Sequence, residues 1–112
     1  MEQIEIIKKA IQSRKPISFE YNKQGKTTGK RIGNPHTIYI HSGTGNVLVD
    51  LYQTDGVSDS ANSGEKELPS WNRFDIEYMN NIIILENYSD FDIAPGYNPY
   101  SDRYYNSIFL AT

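Results

Sequence analysis

The sequence has 112 residues, no cysteine and a formal net charge of −3 at pH 7. This length suits one domain with one modest core, and the lack of cysteine excludes disulfides, thiolate zinc sites and cysteine nucleophiles. The negative charge argues against wrapping nucleic acid over the whole surface, although a local basic patch stays open. No apolar run has signal-peptide or membrane-spanning character. We therefore expect a single domain over residues 1–112, located in the cytoplasm and without a membrane partner.

The N-terminal segment predicts an amphipathic helix over residues 3–14. Ile4, Ile7 and Ile11 recur at helical spacing and would share one face. Pro16 ends the helix, because its ring removes a hydrogen-bond donor and disfavours helical geometry in the residue before it. A helix this short needs an apolar surface to dock on.

After the helix, the hydrophobic period changes to two. Residues 17–21 alternate apolar and polar side chains, and residues 27–41 are extended in character, with a bend or edge position at Gly-Asn-Pro 33–35. The sequence Ser-Gly-Thr-Gly-Asn at 42–46 predicts a hairpin turn. A clear strand begins at residue 47.

The second half of the chain predicts a long loop, two short strands and an aromatic tail. Residues 54–70 are polar, and loops of this length are usually functional or mobile. Strands are predicted at 71–76 and 79–85. With the preceding strands they indicate a small closed or half-closed antiparallel barrel over residues 17–85.

Residues 86–112 form a tail with two prolines and seven aromatic residues. So many aromatic side chains would not be left in water, so we expect this tail to pack on the domain. Residues 102–110 could form a helical turn that places Tyr105, Ile108 and Phe109 on the body of the protein.

Residues 10–21 read A-I-Q-S-R-K-P-I-S-F-E-Y, which is similar to the opening motif A-I-x-x-R-K-P-I-x-F-x-Y of the WYL family of regulatory ligand-sensing domains. Arg31 stands four residues before Pro35, as in that family, and residues 74–79 loosely match its closing F-x-L-D-x-I element. Val-Leu-Val at 47–49 stands in place of the naming Trp-Tyr-Leu. The motifs P-H, Y-Q-x-x-G-x-S-x-S, W-x-x-F and P-G-Y resemble small stand-alone bacterial relatives; they stand at residues 35–36, 52–60, 71–74 and 95–97.

This resemblance implies a mainly β fold with an N-terminal helix, in the form of a small SH3-like or Sm-like antiparallel β-barrel. It also implies a regulatory context, in transcription or in defence. In the family the motif positions line a ligand groove. Here they gather these candidate ligand-binding residues: Arg31, Tyr52, Gln53, Ser58, Ser60, Trp71 and Arg73.

From the resemblance we expect Arg31 and Arg73 to converge on one face and hold an anion between Tyr52 and Trp71. The planar guanidinium binds phosphate or carboxylate bidentately and also stacks on rings. A structural alternative stays open, in which Arg31 pairs with a neighbouring acid, Trp71 is core and the loop serines cap turns.

Other chemistry receives little support. His36 and His41 lie at irregular spacing from the aspartates, so no metal is expected, and His36 suits a hydrogen-bonded structural role. A triad of His36 with Ser58 or Ser60 has no nucleophile elbow, and Gly-Thr-Gly at 43–45 is not followed by a lysine and a helix. We expect neither catalysis nor a cofactor.

A small basic run lies near the first hairpin and has two interpretations. Its cations could contact phosphates while Tyr39 or Tyr52 stacks on bases, or they could belong to an ordinary solvated hairpin. The run consists of Lys23, Lys26, Lys30 and Arg31.

The sequence thus favours a non-catalytic regulatory or sensing module whose ligand is an anionic small molecule, nucleotide-like, or a single-stranded nucleic acid. The alternative is a protein-interaction or assembly module, which would use a barrel edge or the aromatic tail to pair with a protein partner or a second copy of itself.

Overall fold

An N-terminal helix precedes six strands in the computed structural model, which describes residues 2–59, 64 and 67–112. Every strand pairing in the sheet is antiparallel. The prediction of a mainly β fold with an N-terminal helix is therefore confirmed. The elements are α1 (Glu2–Ser13), β1 (Ile17–Tyr21), β2 (Lys30–Ile40), β3 (Val47–Gly56), β4 (Ser70–Asp75), β5 (Met79–Ile84) and β6 (Ser107–Leu110), with short 3-10 turns at Ile76–Tyr78 and Asp102–Tyr104.

Helix α1 docks on the sheet through the face that its sequence pattern predicts. Ile7, Ala10 and Ile11 are buried. The helix ends where Arg14 takes a left-handed backbone conformation (φ 59°) and the Lys15 amide donates to the Ala10 carbonyl at 3.0 Å. The left-handed residue closes the last turn, so that the chain can leave the helix and enter β1.

Strand β2 is the centre of the sheet and is shared between two partners along one edge. Its first half, Lys30–Gly33, pairs with β1, and its second half, from Thr37 to Tyr39, pairs with β6. The other edge pairs with β3. Register shifts at Ile32/Gly33 and Pro35/Thr37 bend the strand between the two halves. The predicted bend at residues 33–35 is thus present, inside one strand.

Gly33 permits this bend because β3 passes very close to it. A Cβ atom at this position would lie 2.3 Å from Leu51 Cδ2 and 2.8 Å from the Tyr52 carbonyl oxygen. Both distances are below van der Waals contact, so any larger residue would push the two strands apart.

The sheet has the order β4-β3-β2-β1-β5, with β6 added to β2. Within the residues that the structure describes, the end strands β4 and β5 do not pair with each other. The antiparallel sheet is confirmed, and its closure into a barrel stays a prediction.

The tail is packed, as its aromatic content predicts. Phe91, Ala94 and Tyr104 are buried, and β6 adds a strand to the sheet. The predicted helical turn over 102–110 is wrong beyond Tyr104. Residues 107–110 pair instead with the half of the β2 edge that β1 leaves free. The amide and carbonyl groups of that half are available for hydrogen bonds to another strand. Tyr105 consequently points to solvent and is 90% exposed.

The two faces of the sheet bury different sets of residues, because side chains alternate along a strand. The inner face packs against α1 through a cluster that includes Phe19, Val49, Leu51 and Phe74. The opposite, outer face of β2 and β3 carries Tyr39 and Leu48, which pack with Tyr104 of the tail. The candidate site residues are divided between these two faces.

Candidate functional site

Arg31 lies inside the domain and is paired there. Its side chain is 2% exposed, and Nη2 donates to the Asp59 carboxylate at 3.0 Å and to the Thr27 carbonyl at 2.8 Å. The guanidinium stands over the rings of Tyr21 and Phe74, at 5.6 and 5.3 Å from their centroids. This is the structural alternative that the sequence left open: an enclosed arginine held by an acid and two aromatic rings.

The expected convergence of Arg31 and Arg73 is therefore wrong. Phe74 contacts Arg31 on the inner face, and Arg73 is its neighbour on β4, so the Arg73 side chain projects to the outer face. The two guanidinium groups lie on opposite sides of the sheet. A single anion cannot bridge them.

Asp59 accepts hydrogen bonds from two groups of Thr27 as well as from Arg31. Burial by itself would raise the pKa of this carboxyl, but hydrogen bonds from the Thr27 hydroxyl and amide, each at 2.7 Å, and from Arg31 lower it overall. The cluster therefore joins the start of the loop after β3 to the segment that precedes β2.

Gln53 and Ser58 are also enclosed. The Gln53 amide donates to the carbonyls of Asp55 and Val57 at 3.1 and 2.7 Å, and its oxygen accepts from Asn72 at 3.0 Å. These bonds occupy the Gln53 side chain within the protein, and Ser58 is buried. Ser60 lies outside the described residues.

Trp71 and Tyr52 lie together on the outer face, as expected, with ring centroids 5.3 Å apart. The Trp71 indole donates to the Pro95 carbonyl at 2.7 Å and stacks with Tyr97 at 6.0 Å and an interplanar angle of 22°. The tail thus holds the indole in place and adds a second ring beside it.

His36 ties the tail to the outer face of β2. It is fully buried; its Nε2 accepts from the Ala94 amide at 3.1 Å, so Nδ1 carries the hydrogen and donates to the Asn34 carbonyl at 2.8 Å. Burial lowers the pKa of His36, against a smaller opposing effect of the hydrogen bond to Asn34. The predicted role of a hydrogen-bonded structural histidine is confirmed.

A buried carboxylate organises the rest of the outer face. Asp50 on β3 accepts hydrogen bonds from the hydroxyls of Tyr39 at 3.0 Å and Tyr104 at 2.7 Å, and from Arg103 Nη1 at 3.1 Å. Arg73 Nε stands 4.0 Å from the other side of the same carboxylate. One acid therefore positions two arginines, one from β4 and one from the tail.

The hydroxyls of the two tyrosines beside Asp50 stay protonated at neutral pH. Burial raises the pKa of Tyr39 to about 12, with Asp50 adding to the effect, and it raises the pKa of Tyr104 in the same way. The hydrogen bond to Asp50 likewise raises the pKa of Arg103. The cluster is therefore a fixed set of donors around one negative charge.

These groups border an open groove of about 640 Å³ between β4 and the tail. Its volume lies in the range of small-molecule sites. The acid is 6% exposed, whereas the side chains of Arg73 and Arg103 are 46% and 52% exposed, so the groove offers two cations above a shielded anion. Trp71, Arg73, Tyr97, Ser101, Arg103 and Tyr104 are among its lining residues.

The structure thus brings Trp71 and Arg73 into one groove with Tyr52 alongside. The second arginine of the groove is Arg103, where the sequence predicted Arg31. Sequence reasoning missed Arg103, Asp50 and Tyr104. The available signal was an arginine beside tyrosines in a tail that was expected to pack. The partner of Arg103 could not be predicted, because Asp50 is 53 residues away along the chain. Asp50 also lies at a polar position of an alternating strand, and such a residue is ordinarily expected to be exposed.

No helix among the described residues is long and apolar enough to cross a bilayer. In the same ranges, no three metal-binding side chains of the His, Asp and Glu types come together.

Comparisons of the chain with models of protein families, with curated proteins and with solved structures return no match. The groove itself is therefore the basis for assigning a function.

Proposed function

We propose that this protein is a non-catalytic regulatory or sensing module that binds an anionic, nucleotide-like ligand in the groove between β4 and the tail. The observation that carries the proposal is the arrangement of Arg73 and Arg103 on either side of the buried Asp50 carboxylate. A phosphate or carboxylate group would be held by the free N–H groups of both guanidiniums.

The aromatic lining supports a ligand with a planar group. Trp71 and Tyr97 stack on each other at the border of the groove. Their rings, fixed by hydrogen bonds to the Pro95 and Ala111 carbonyls, offer a rigid surface that loses little entropy on binding. Bases stack on such surfaces with little dependence on sequence.

A binding role without turnover fits the way the polar groups are used. The Asp50 carboxylate already accepts three hydrogen bonds, and both ring nitrogens of His36 are engaged. Neither group is available as a general base. We propose accordingly that the ligand is sensed and not transformed.

We further propose that the bent sheet is an SH3-like or Sm-like barrel of the WYL type, acting in the cytoplasm in transcriptional or defence regulation. The basis is the motif resemblance together with the shared β2 edge, which lets one strand serve two sheet halves. The proposed ligand site differs from the expected one, since it uses Arg103 of the tail in place of Arg31.

Thermal-shift screening of nucleotides and short single-stranded oligonucleotides tests the proposal. A ligand that binds only the folded state raises the melting temperature. Arg73→Ala and Arg103→Ala should each weaken binding by about tenfold, in line with the loss of one charge-assisted hydrogen bond. Lys30→Ala removes the same charge from an exposed position outside the groove and is the control. Unchanged binding by both arginine variants would reject the groove as the site.

A protein-interaction module remains the second candidate, because two tail tyrosines stand out from the surface. Tyr100 and Tyr105 are each 90% exposed and flank the Asp102–Tyr104 turn. Sedimentation of the wild type against a Tyr100→Ser/Tyr105→Ser variant tests it. A self-associating wild type that the double variant dissociates would favour this function.

A further inference from the structure

We infer that the ligand of the groove is extended and carries a second anionic group, which binds in a neighbouring cavity beyond Arg73; this inference rests on the proposed function. A second cavity of about 210 Å³ lies beside the first, and Arg73 lines both. One arginine therefore stands between two openings on the same side of the domain.

The two cavities follow each other along β4. Trp71, Arg73 and Asp75 are alternate residues of this strand; Trp71 lines the first cavity, Asp75 lines the second, and Arg73 lies between them. Alternate residues of a strand are about 7 Å apart. Consider a ligand whose first anionic group binds at Arg103 and Arg73. Its second anionic group would reach the second cavity if a unit the size of a sugar separated it from the first. The two phosphates of a diphosphate share one oxygen and are too close together.

The second cavity offers donors suited to that anion. Lys23 is exposed at its border and stands 5.6 Å from the centroid of the Tyr78 ring. His41 Nδ1 accepts from the amides of Gly43 and Thr44 at 3.1 and 3.3 Å. A neutral His41 therefore carries its hydrogen on Nε2, as a donor.

Asp75 is the one acid among the described residues that line the second cavity. Asp75 is buried, and its Oδ1 accepts from the Glu77 amide at 3.0 Å, which starts the 3-10 turn. Among the described residues that line the combined groove, the exposed charged side chains are Arg103, Arg73 and Lys23, and all three are cationic. This row of cations suits a ligand with successive anions on one backbone.

The experiment compares thymidine 5′-monophosphate with the dinucleotide pTpT, which has one additional phosphate beyond a sugar. Trp71 is the only tryptophan of the chain and borders the groove, so its fluorescence reports binding. The wild type should bind pTpT more tightly. Lys23→Ala should weaken pTpT by about three- to fivefold, as expected for a solvent-exposed ion pair, and should leave the monophosphate unchanged. Lys26→Ala, in the same turn but lining neither cavity, should affect neither probe.

The outcomes separate the two proposals. If pTpT binds no more tightly than the monophosphate, or if Lys23→Ala affects both probes equally or neither, the extended ligand is rejected while the Arg73–Arg103 site stands. If Arg103→Ala leaves the binding of both probes unchanged, the proposed function itself fails. If the wild type binds neither probe, both proposals fall.

Discussion

Each face of the sheet carries an arginine–aspartate pair, and the two pairs are built in opposite ways. On the inner face Arg31 is 2% exposed while its partner Asp59 is 33% exposed. On the outer face Asp50 is 6% exposed while Arg103 is 52% exposed. The inner pair encloses the cation and the outer pair encloses the anion. Only the outer arrangement leaves a guanidinium free to meet a ligand.

The comparison shows that burying the acid of an arginine–aspartate pair leaves the guanidinium exposed, as the proposed binding role of Arg103 requires. A shielded acid orients Arg103 without competing for its outward N–H groups. An arginine buried among rings, such as Arg31 over Tyr21 and Phe74, uses its hydrogen bonds and its charge to stabilise the fold. Substitutions at the two arginines should therefore affect stability and binding differently, and the following variants test this.

Replacing the inner arginine should have the largest effect on stability. Arg31→Ala removes the ring contacts and leaves Asp59 without its cation, so we expect a loss of about 3 kcal/mol in the free energy of unfolding. Arg73→Ala, the matched change on the outer face, should cost at most about 0.5 kcal/mol, because its 4.0 Å ion pair is long and the arginine itself is about half-exposed. Urea denaturation measures both. Equal losses for the two variants would contradict the assigned roles.

Removing the outer acid should have the next largest effect. Asp50→Ala leaves the buried hydroxyls of Tyr39 and Tyr104 without their acceptor and should cost about 2 kcal/mol. Asp50→Asn keeps one acceptor oxygen and should fall between this variant and the wild type. The exposed Asp92→Ala is the control for charge alone, and its unfolding free energy should match the wild type. A cost for Asp50→Ala no larger than that control would show that the cluster does not hold the outer face together.

The pH dependence of stability should report how the tail is fastened to that face. The pKa of His36 is lowered in the fold, chiefly by burial, so folding favours the neutral ring. This stabilisation is fully present above the unfolded-state pKa of about 6.5 and is lost as the pH falls from there through the lower folded-state pKa. The free energy of unfolding should therefore decrease between pH 7 and pH 5. The decrease should persist in His41→Asn and flatten in His36→Gln. A decrease that survives His36→Gln would assign it to another group.

Local features were predictable because short-range chemistry dictates them. The spacing of Ile7 and Ile11 and the position of Pro16 placed α1 within about one residue at each end. The Gly-rich segment at 42–46 placed the hairpin: the His41 and Asn46 backbones are joined by a 2.8 Å hydrogen bond, and Gly45 has the left-handed φ of 78°. The tail aromatics were correctly expected to pack, since their apolar surface demands burial.

The candidate site was predicted only in part. Trp71 and Arg73 were named correctly as neighbours on one face, because they are alternate residues of one strand. The choice of Arg31 as their companion failed because the shift between Pro35 and Thr37 leaves one extra residue in β2, so the side chains before it alternate out of step with those after it. A single-residue shift in register reverses the face of every side chain that follows it.

By itself, the sequence determined the helix, the alternation of the strands, the hairpin and the need to bury the tail, since these depend on residues a few positions apart. The tertiary structure alone decided which arginine is enclosed and which is open. Arg103 meets Asp50 only because β6 takes the free half of the β2 edge and draws the tail across the outer face. That contact joins residues 53 positions apart, and its energy comes from a buried carboxylate that must be satisfied wherever the chain can supply donors.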